Sequence, residues 1–484
     1  MQTQTSRAGG ARIEFHRKTG KIHPRAVSGR YNSGRWAVVW LTQIVFYGAA
    51  WLGWNDRQAV LFDIAERKFH LFGLVLWPQD ALLAALALIV AATALFLVTA
   101  VAGRLFCGFA CPQTVYTAIF RWIEARIEGD HLARIRLDQA PPGARKLGLK
   151  AAKHLVWLAI AGWTGITFVG YFTPIRELLW RLGAGELGPW EGFWVFFYAA
   201  FTYVQAGLAR EMVCLHMCPY ARFQGVMFDE DTATIGYDAK RGEPRGRRGT
   251  ARLAAARAVA LPVAAAGASA AAGARGDCVD CGLCVQVCPT GIDIRDGLQY
   301  QCIDCGLCAD ACDDVMTRIG SPTGLIRMAS GRELAGQGRP AAPARSIWRR
   351  PRPLTYAATL VVCVLLGGAM LANRAPLIVD VLRDRNALSR EASDGSIENA
   401  YTLKLMNLGE APRTFRISAA GDAPMRIAGG DLFTVGGGAV LAAPVTITAR
   451  PEAGRAGREP IHFRVEAVDA PHLVVTEPSV FLLP

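Results

Sequence analysis

Residues 278–312 carry the pattern that decides the architecture: Cys278-Val-Asp-Cys281-Gly-Leu-Cys284-Val-Gln-Val-Cys288-Pro289, then Cys302-Ile-Asp-Cys305-Gly-Leu-Cys308-Ala-Asp-Ala-Cys312. Twice the spacing is C-x2-C-x2-C-x3-C, the arrangement of bacterial proteins that carry two 4Fe-4S clusters. Three thiolates this close along the chain wrap one tight loop around three irons of a cubane. The fourth cysteine lies too far along to join them and reaches across a pseudo-two-fold axis to the other cluster. One cluster is therefore expected on Cys278, Cys281, Cys284 and Cys312, the other on Cys302, Cys305, Cys308 and Cys288. Gly282 and Gly306 occupy matching loop positions, where the backbone must pass close to sulfide and a side chain would obstruct. Zinc would call for two separated pairs of ligands per site, and disulfides do not suit a reducing compartment. So short a block buries little apolar surface, so metal ligation must supply much of its folding free energy. Cys312 is followed by Asp313 where the first run has Pro289, a departure that leaves the ligand in place.

Outside this block lie five more of the thirteen cysteines. Four form two pairs, Cys107-x3-Cys111-Pro112 and Cys214-x3-Cys218-Pro219. Residues four apart share a helix face with Cβ atoms about 5–6 Å apart, so each pair can hold one soft metal ion. His216 and Met217 lie inside the second pair and Met212 just before it. Thiolate, thioether and imidazole together select Cu(I). Buried inert cysteines are the bland alternative; two copies in matching context favour a metal or redox role. Cys363 stands alone in an apolar stretch and reads as a packing residue. The remaining histidines are scattered, and no zinc-protease, phosphate-loop, nucleophile-elbow or dinucleotide motif appears. Electrons must then come from a partner or a quinol. Arg241–Arg248 reads as a solvated linker, with Glu243-Pro244 marking a turn.

The 484 residues are 52% hydrophobic and only 19% charged, below the roughly 25% charged of a soluble protein. Five stretches are apolar enough to cross a bilayer: Trp36–Trp54, Ala81–Ala102, Leu155–Phe172, Phe193–Leu208 and Leu354–Ala372. No cleavable leader is evident before the first. Lys and Arg number 8 in residues 1–35, 3 in 56–80, 9 in 103–153, 2 in 174–190 and 19 in 209–353. They gather in alternate loops, which the positive-inside rule makes cytoplasmic. Both CxxxCP pairs then lie at the cytoplasmic face, each after two spans, as an internal repeat able to face itself across a helix bundle. The net charge of +13 thus reflects topology rather than a nucleic-acid surface. Residues 251–274 are Ala-rich with Arg257 and Pro262, and read as a linker; a sixth crossing there would carry the cysteine block to the oxidising side.

Residues 376–484 hold short β-prone runs, Ile397–Leu405, Thr414–Ser418, Leu432–Val435, Val440–Thr448, Ile461–Val468 and Leu473–Leu483, separated by turn residues. Such a series suggests an immunoglobulin-like sandwich without a disulfide, suited to docking or a structural cap. The fold class expected is a multi-domain membrane protein: an α-helical transmembrane bundle of about five spans, an inserted bacterial-type two-cluster ferredoxin domain, and a C-terminal immunoglobulin-like β-sandwich. Its expected parts are a basic segment 1–35, a four-helix region 36–250, a linker 251–275, a ferredoxin-like domain 276–320, a basic linker 321–353, a fifth helix 354–372 and a far-side domain 373–484.

Gly103-Arg-Leu-Phe-Cys-Gly-Phe-Ala-Cys-Pro-Gln-Thr114, Arg210-Glu-Met-Val-Cys-Leu-His-Met-Cys-Pro-Tyr-Ala-Arg-Phe-Gln224, Tyr237-Asp238, Arg241-Gly-Glu-Pro-Arg-Gly246 and Gly276 through Met316 together resemble the cytochrome c oxidase accessory proteins of the CcoG (FixG, RdxA) family. The likeness runs from about residue 35 to 330 and into the tail; the Ala-rich stretch after Arg248 departs from it. The resemblance implies a multi-pass protein of the bacterial cytoplasmic membrane, with its ferredoxin part cytoplasmic and its tail periplasmic. It further implies help in assembling a cbb-type oxidase by reducing Cu(II) to Cu(I), with assembly factors and copper chaperones as partners. Electrons would pass from an unidentified donor through two 4Fe-4S clusters to copper near Cys107, Cys111, Cys214 and Cys218. Two rivals are a relay from quinol to a reductase, and a non-catalytic assembly scaffold. The donor and the copy number, a homodimer included, stay open at this level.

Overall fold

The computed structural model describes residues 22–246, 276–335, 347–384, 389–392, 395–421, 424–450 and 457–483. The expected Ala-rich linker, 251–275, lies outside these residues, as do 1–21 of the basic N-terminal segment. The chain forms two compact units: 67–80 join 366–484 in one, and the rest makes the other.

Among the described residues four helices are long and apolar enough to cross a membrane, 78–102, 144–169, 189–209 and 351–372; all but the first three residues of 78–102 and the end of 351–372 fall in the first unit. Three of the four find few partners within the protein, with 11%, 11% and 0% of the window buried for 78–102, 189–209 and 351–372, against 39% for 144–169. Such bare apolar surface is what hydrocarbon covers. Of the five expected spans, Trp36–Trp54 differs most. Its helix, α1 (Arg30–Ala49), starts and stops earlier, and Gly53–Trp54 pairs with Arg57–Gln58 as a small hairpin instead. The helix starts early because Asp310, far along the chain, caps it: the amides of Tyr31 and Asn32 donate to its two carboxylate oxygens at 3.1 and 2.8 Å. Trp40, Leu41, Ile44 and Val45 remain exposed on α1.

After α2 (Ala81–Ala102) the chain turns through α3 (Leu105–Phe109) into the amphipathic α4 (Pro112–Glu128) and α5 (His131–Gln139). Pro112 fits the first turn of α4, where no amide partner is needed. Helix α6 (Ala144–Val169) buries Trp157, which stacks on Phe120 with centroids 5.2 Å apart and donates Nε1–H to its carbonyl. Helix α7 (Ile175–Ala184) leads to α8 (Pro189–Thr202), which widens into a π-helical stretch at Tyr203–Ala209, and a second one follows at Val213–Met217. Helix α9 (Pro219–Met227) completes the repeat.

The cysteine-rich block is larger than residues 276–320. Strand Ala233–Tyr237 pairs antiparallel with Ile326–Ser330, so part of the expected 321–353 linker is a strand, and helix Gly331–Ala335 follows it. Ile235, Ile294, Met316, Leu325 and Ile326 form the core between these strands and the cysteine loops.

The second unit is a sandwich of two antiparallel sheets. Strands run 425–428, 440–449, 397–407, 377–383 in one, and 432–435, 413–421, 457–467, 474–483 in the other. Phe415, Phe463, Phe481, Leu403 and Leu405 fill the space between them. All six β-prone runs form strands; Leu377–Arg383 and Met425–Ala428 are additional. The loop before α2 also belongs here. Lys68–Leu71 pairs with Leu74–Leu76, Val75 and Trp77 pack on Leu408, and Asp80 bonds Arg374.

Candidate metal centres and thiol pocket

The two cysteine loops take the same shape. Asp280 and Asp304 have φ of 52° and 51°, and Gly282 and Gly306, φ 67° and 73°, open the short helices Leu283–Gln286 and Leu307–Arg318. At Gly306 a side chain is excluded twice, by its left-handed backbone and by the Tyr31 ring, 2.3 Å from where a Cβ would stand. Cys278, Cys281, Cys284 and Cys312 line one small cavity; Cys288, Cys302, Cys305 and Cys308 line a second, and Cys284 borders both. The structure thus brings the four members of each expected set together, with Cys284 on both walls.

Burial pushes Cys284 up to about 11 and Cys312 up to about 12, and Cys302 and Cys308 well above the ordinary thiol value. Loading iron must therefore displace protons. Among the described residues no three His, Cys, Asp or Glu side chains could hold a single ion. A cubane, which takes each thiolate on a different iron, fits this wider spacing. Arg295, bound to Asp293 and Asp280 at 2.6 Å each, borders the first cavity.

The second loop is seated on the turn that carries Cys107. Gly108 lies so close that a Cβ there would be 2.6 Å from the Ile303 carbonyl oxygen and 3.0 Å from Cys305 Cα. Beside it the buried Arg104 donates to the carbonyls of Tyr300, Cys302 and Ala221, at 2.9 Å for Cys302 and 2.8 Å for Ala221. Its own amide donates to Asp304 at 2.9 Å, and the Ile235 amide reaches the other carboxylate oxygen.

The four CxxxCP thiols lie within electrostatic reach of one another: Cys111 and Cys218 act on Cys107, Cys218 on Cys111, and all three on Cys214. The fully buried Gln224 donates to Cys107 Sγ at 3.3 Å. Burial raises Cys111, and takes Cys107 to about 11 and Cys214 to about 12. His216 and Met217 are exposed, as is Met212, so thiol sulfur dominates the pocket. Cys363 lies apart on the last apolar helix.

Sequence reasoning did not find the charges beneath the pocket. Glu124, fully buried, takes Arg210 at 3.0 Å, Arg134 at 3.2 Å and Lys153 at 3.7 Å, and Glu128 takes Lys153 at 2.9 Å and Lys150 at 3.0 Å. Arg210 has φ 48° between the two π-helical stretches. The available signal was carboxylates on the apolar side of α4, where a lone charge would be costly.

Comparison with known proteins agrees with this anatomy. A 4Fe-4S dicluster domain matches residues 209–331, a 4Fe-4S binding domain matches 84–129, and the IG-like fold at the C-terminal of FixG matches 368–484. The chain is 37% identical to the nitrogen fixation protein FixG of Rhizobium meliloti, over 89% of this chain and 85% of that one. It is 40% identical to protein RdxA of Cereibacter sphaeroides, over 84% and 83%. A crystal structure of a FixG-related protein from Vibrio parahaemolyticus aligns with 22% of this chain and 96% of its own, at 26% identity and a TM-score of 0.21. With the eight thiols, the membrane helices and the sandwich already in view, the chain belongs to the FixG/RdxA family of iron–sulfur electron-transfer proteins.

Proposed function

We propose that the protein reduces Cu(II) to Cu(I) at the thiol pocket, in support of cbb-type oxidase assembly, and passes the product to copper chaperones and assembly factors. One observation carries the reading: the loop holding Cys302, Cys305 and Cys308 rests on Gly108, within the Cys107–Cys111 turn. The eight ferredoxin-type cysteines would hold two 4Fe-4S clusters, which supply single electrons when bound. The chain's own residues do the rest. Arg104 and Asp304 lock the loop to the turn, Gln224 orients Cys107, and thiolates prefer the cuprous ion. As no three ligands converge on one point among the described residues, a pair of thiolates is the holder proposed here. The positive-inside pattern supports a cytoplasmic position for both metal regions and a periplasmic one for the sandwich.

The test is anaerobic Cu(II) reduction by dithionite-reduced protein, with and without Cys214→Ala and Cys218→Ala. A fall of at least tenfold, with iron content unchanged, is expected; equal rates would remove these thiols from the reaction. A second reading draws on the 4Fe-4S binding domain matched at 84–129: the four pocket thiols would hold a further cluster. It predicts about twelve irons per chain where copper reduction predicts about eight, at four irons per cubane.

A further inference from the structure

Behind Cys214 lies a cavity of about 590 Å³, within the first unit, to which no role has been given. This is the size of a small-molecule site. Its wall is mostly carbon, from Trp36, Ala118, Trp122, Val287, Ile303 and Leu307. Val287, Ile303 and Leu307 sit beside Cys288, Cys302 and Cys308 in the chain, so the wall is the outer side of the second cysteine loop. Trp36 of α1 and Trp122 of α4 meet edge to face with centroids 6.3 Å apart. Trp122 and Leu132, both exposed, form an apolar rim, the kind of aromatic boundary found at membrane interfaces.

Polar side chains also line it, Arg25, Asn32, Arg35, His131 and Gln286 among them, and one set is gathered at Arg121. Arg121 donates to Glu211 at 2.7 Å and to the Pro289 carbonyl at 3.3 Å, while its buried Nε has no acceptor among the described residues. Thr117 lies one helical turn before Arg121 on α4 and lines the same wall. Arg134 and Arg210 are occupied by Glu124 and Arg121 by Glu211; Arg25 and Arg35 line the cavity too, Arg35 with its Nε–H on the Gly108 carbonyl, and label on a quinone probe is what separates a hydroquinone from a phosphate-bearing ligand. An aromatic ring with two hydroxyls and an apolar tail matches what is left.

We propose that this cavity binds a membrane hydroquinone and is where electrons reach the protein; the proposal rests on the iron–sulfur reading and names its donor. Arg121 holds one ring oxygen, and the Glu211 carboxylate takes the proton from that O–H and releases it to water. Having discharged the first proton to water, the Glu211 carboxylate takes the second in turn; two O–H bonds break in all, giving quinone, two protons released to water and two electrons, one for each of the two clusters. A two-electron donor is in this way matched to copper, which takes electrons singly, and the need for two clusters follows.

The experiment uses the full chain, purified without oxygen in detergent with its iron. An azido derivative of a decyl-tailed benzoquinone is photolysed with it, and a decyl benzoquinol is used to bleach its iron–sulfur absorption. We expect label on peptides from residues 112–132, and bleaching at least tenfold slower in Ala118→Trp, while dithionite still bleaches that variant fully. Glu211→Gln should keep the label and slow bleaching. Label elsewhere, no bleaching of the unaltered protein, or a wild-type rate in Ala118→Trp would overturn the proposal. If Ala118→Trp loses its iron, Glu211→Gln decides: an unchanged rate overturns it. Dithionite-reduced protein mixed with Cu(II) tests copper reduction separately, so either idea can fail alone.

Discussion

Gly108 has room for a hydrogen and nothing larger, because the carbonyl of Ile303 and the Cα of Cys305 occupy the space a methyl group would need. Gly108→Ala should force the second cysteine loop off its seat at about 1–3 kcal/mol. The expected result is a chain that retains its iron, melts several degrees lower, and reduces copper at least tenfold more slowly. Glu124 presents the opposite case, a charge that cannot be withdrawn. Glu124→Ala leaves Arg134, Arg210 and Lys153 without their shared partner, a loss of about 3–5 kcal/mol for a broken buried ion pair, measurable as reduced folded yield and thermal stability. The pocket thiols give a pH signature. With burial holding Cys107 near 11 and Cys214 near 12, alkylation of these two residues in the iron-loaded, copper-free protein, read by peptide mass, should be slow at pH 7 and rise about tenfold per pH unit through pH 9, since the thiolate is the reacting form. A plateau below pH 9 would contradict those values. Of these residues only the cysteines were legible in sequence. Thiol chemistry is written in local spacing, whereas Gly108, Arg104 and Glu124 are defined by neighbours tens to hundreds of positions away.

Among the elements, the last apolar helix is anchored at its start by an ion pair. Arg350, just before it, bonds Asp229 at 2.7 Å, and also reaches Thr232 and the Ala100 carbonyl at the end of α2. Burial alone would raise the Asp229 carboxyl, but the bonds from Arg350 and Thr232 outweigh it and hold the group below its usual value. A depressed carboxylate stabilises the fold above the unfolded value, and that contribution is lost as pH falls through the folded one. Asp229→Asn should therefore lower Tm at neutral pH, and the gap from the unaltered protein should close as pH drops through and below the normal carboxylate range. The strand runs of the sandwich were legible because alternation faces one side to a core. Two features were not. The π-helical stretches 203–209 and 213–217 depend on hydrogen bonds such as Arg210 N–H to the Gln205 carbonyl, for which composition offers no signal. The early start of α1 depends on Asp310 accepting from the Tyr31 and Asn32 amides, in place of a preceding residue's side chain.

For the molecule as a whole, the division into units does not follow chain order. Residues 67–80 are separated from the sandwich by nearly 300 positions, yet supply Val75 and Trp77 to a cluster with Leu408 and hold Arg374 through Asp80. A loop between apolar helices reads as a connector, so its membership in the C-terminal unit was invisible to pattern reading. Val75→Ala should destabilise that unit by about 1–3 kcal/mol, in line with losing part of a buried side chain, while leaving iron content untouched; a change confined to the iron centres would contradict the assignment.

The cap on α1 also bears on how the protein is made. Tyr31 and Asn32 find their acceptor 279 and 278 positions later, in the helix between Cys308 and Cys312, and Arg25 bonds the Gln286 carbonyl. A ribosome extends the chain by about 5–20 residues each second, so the start of the polypeptide waits many seconds before its docking place emerges. Acquisition of iron then becomes the step that fastens the two ends of the first unit together. Cells starved of iron during synthesis should yield chains cut by protease near residues 22–30, and iron supplied before the protease should abolish that cut.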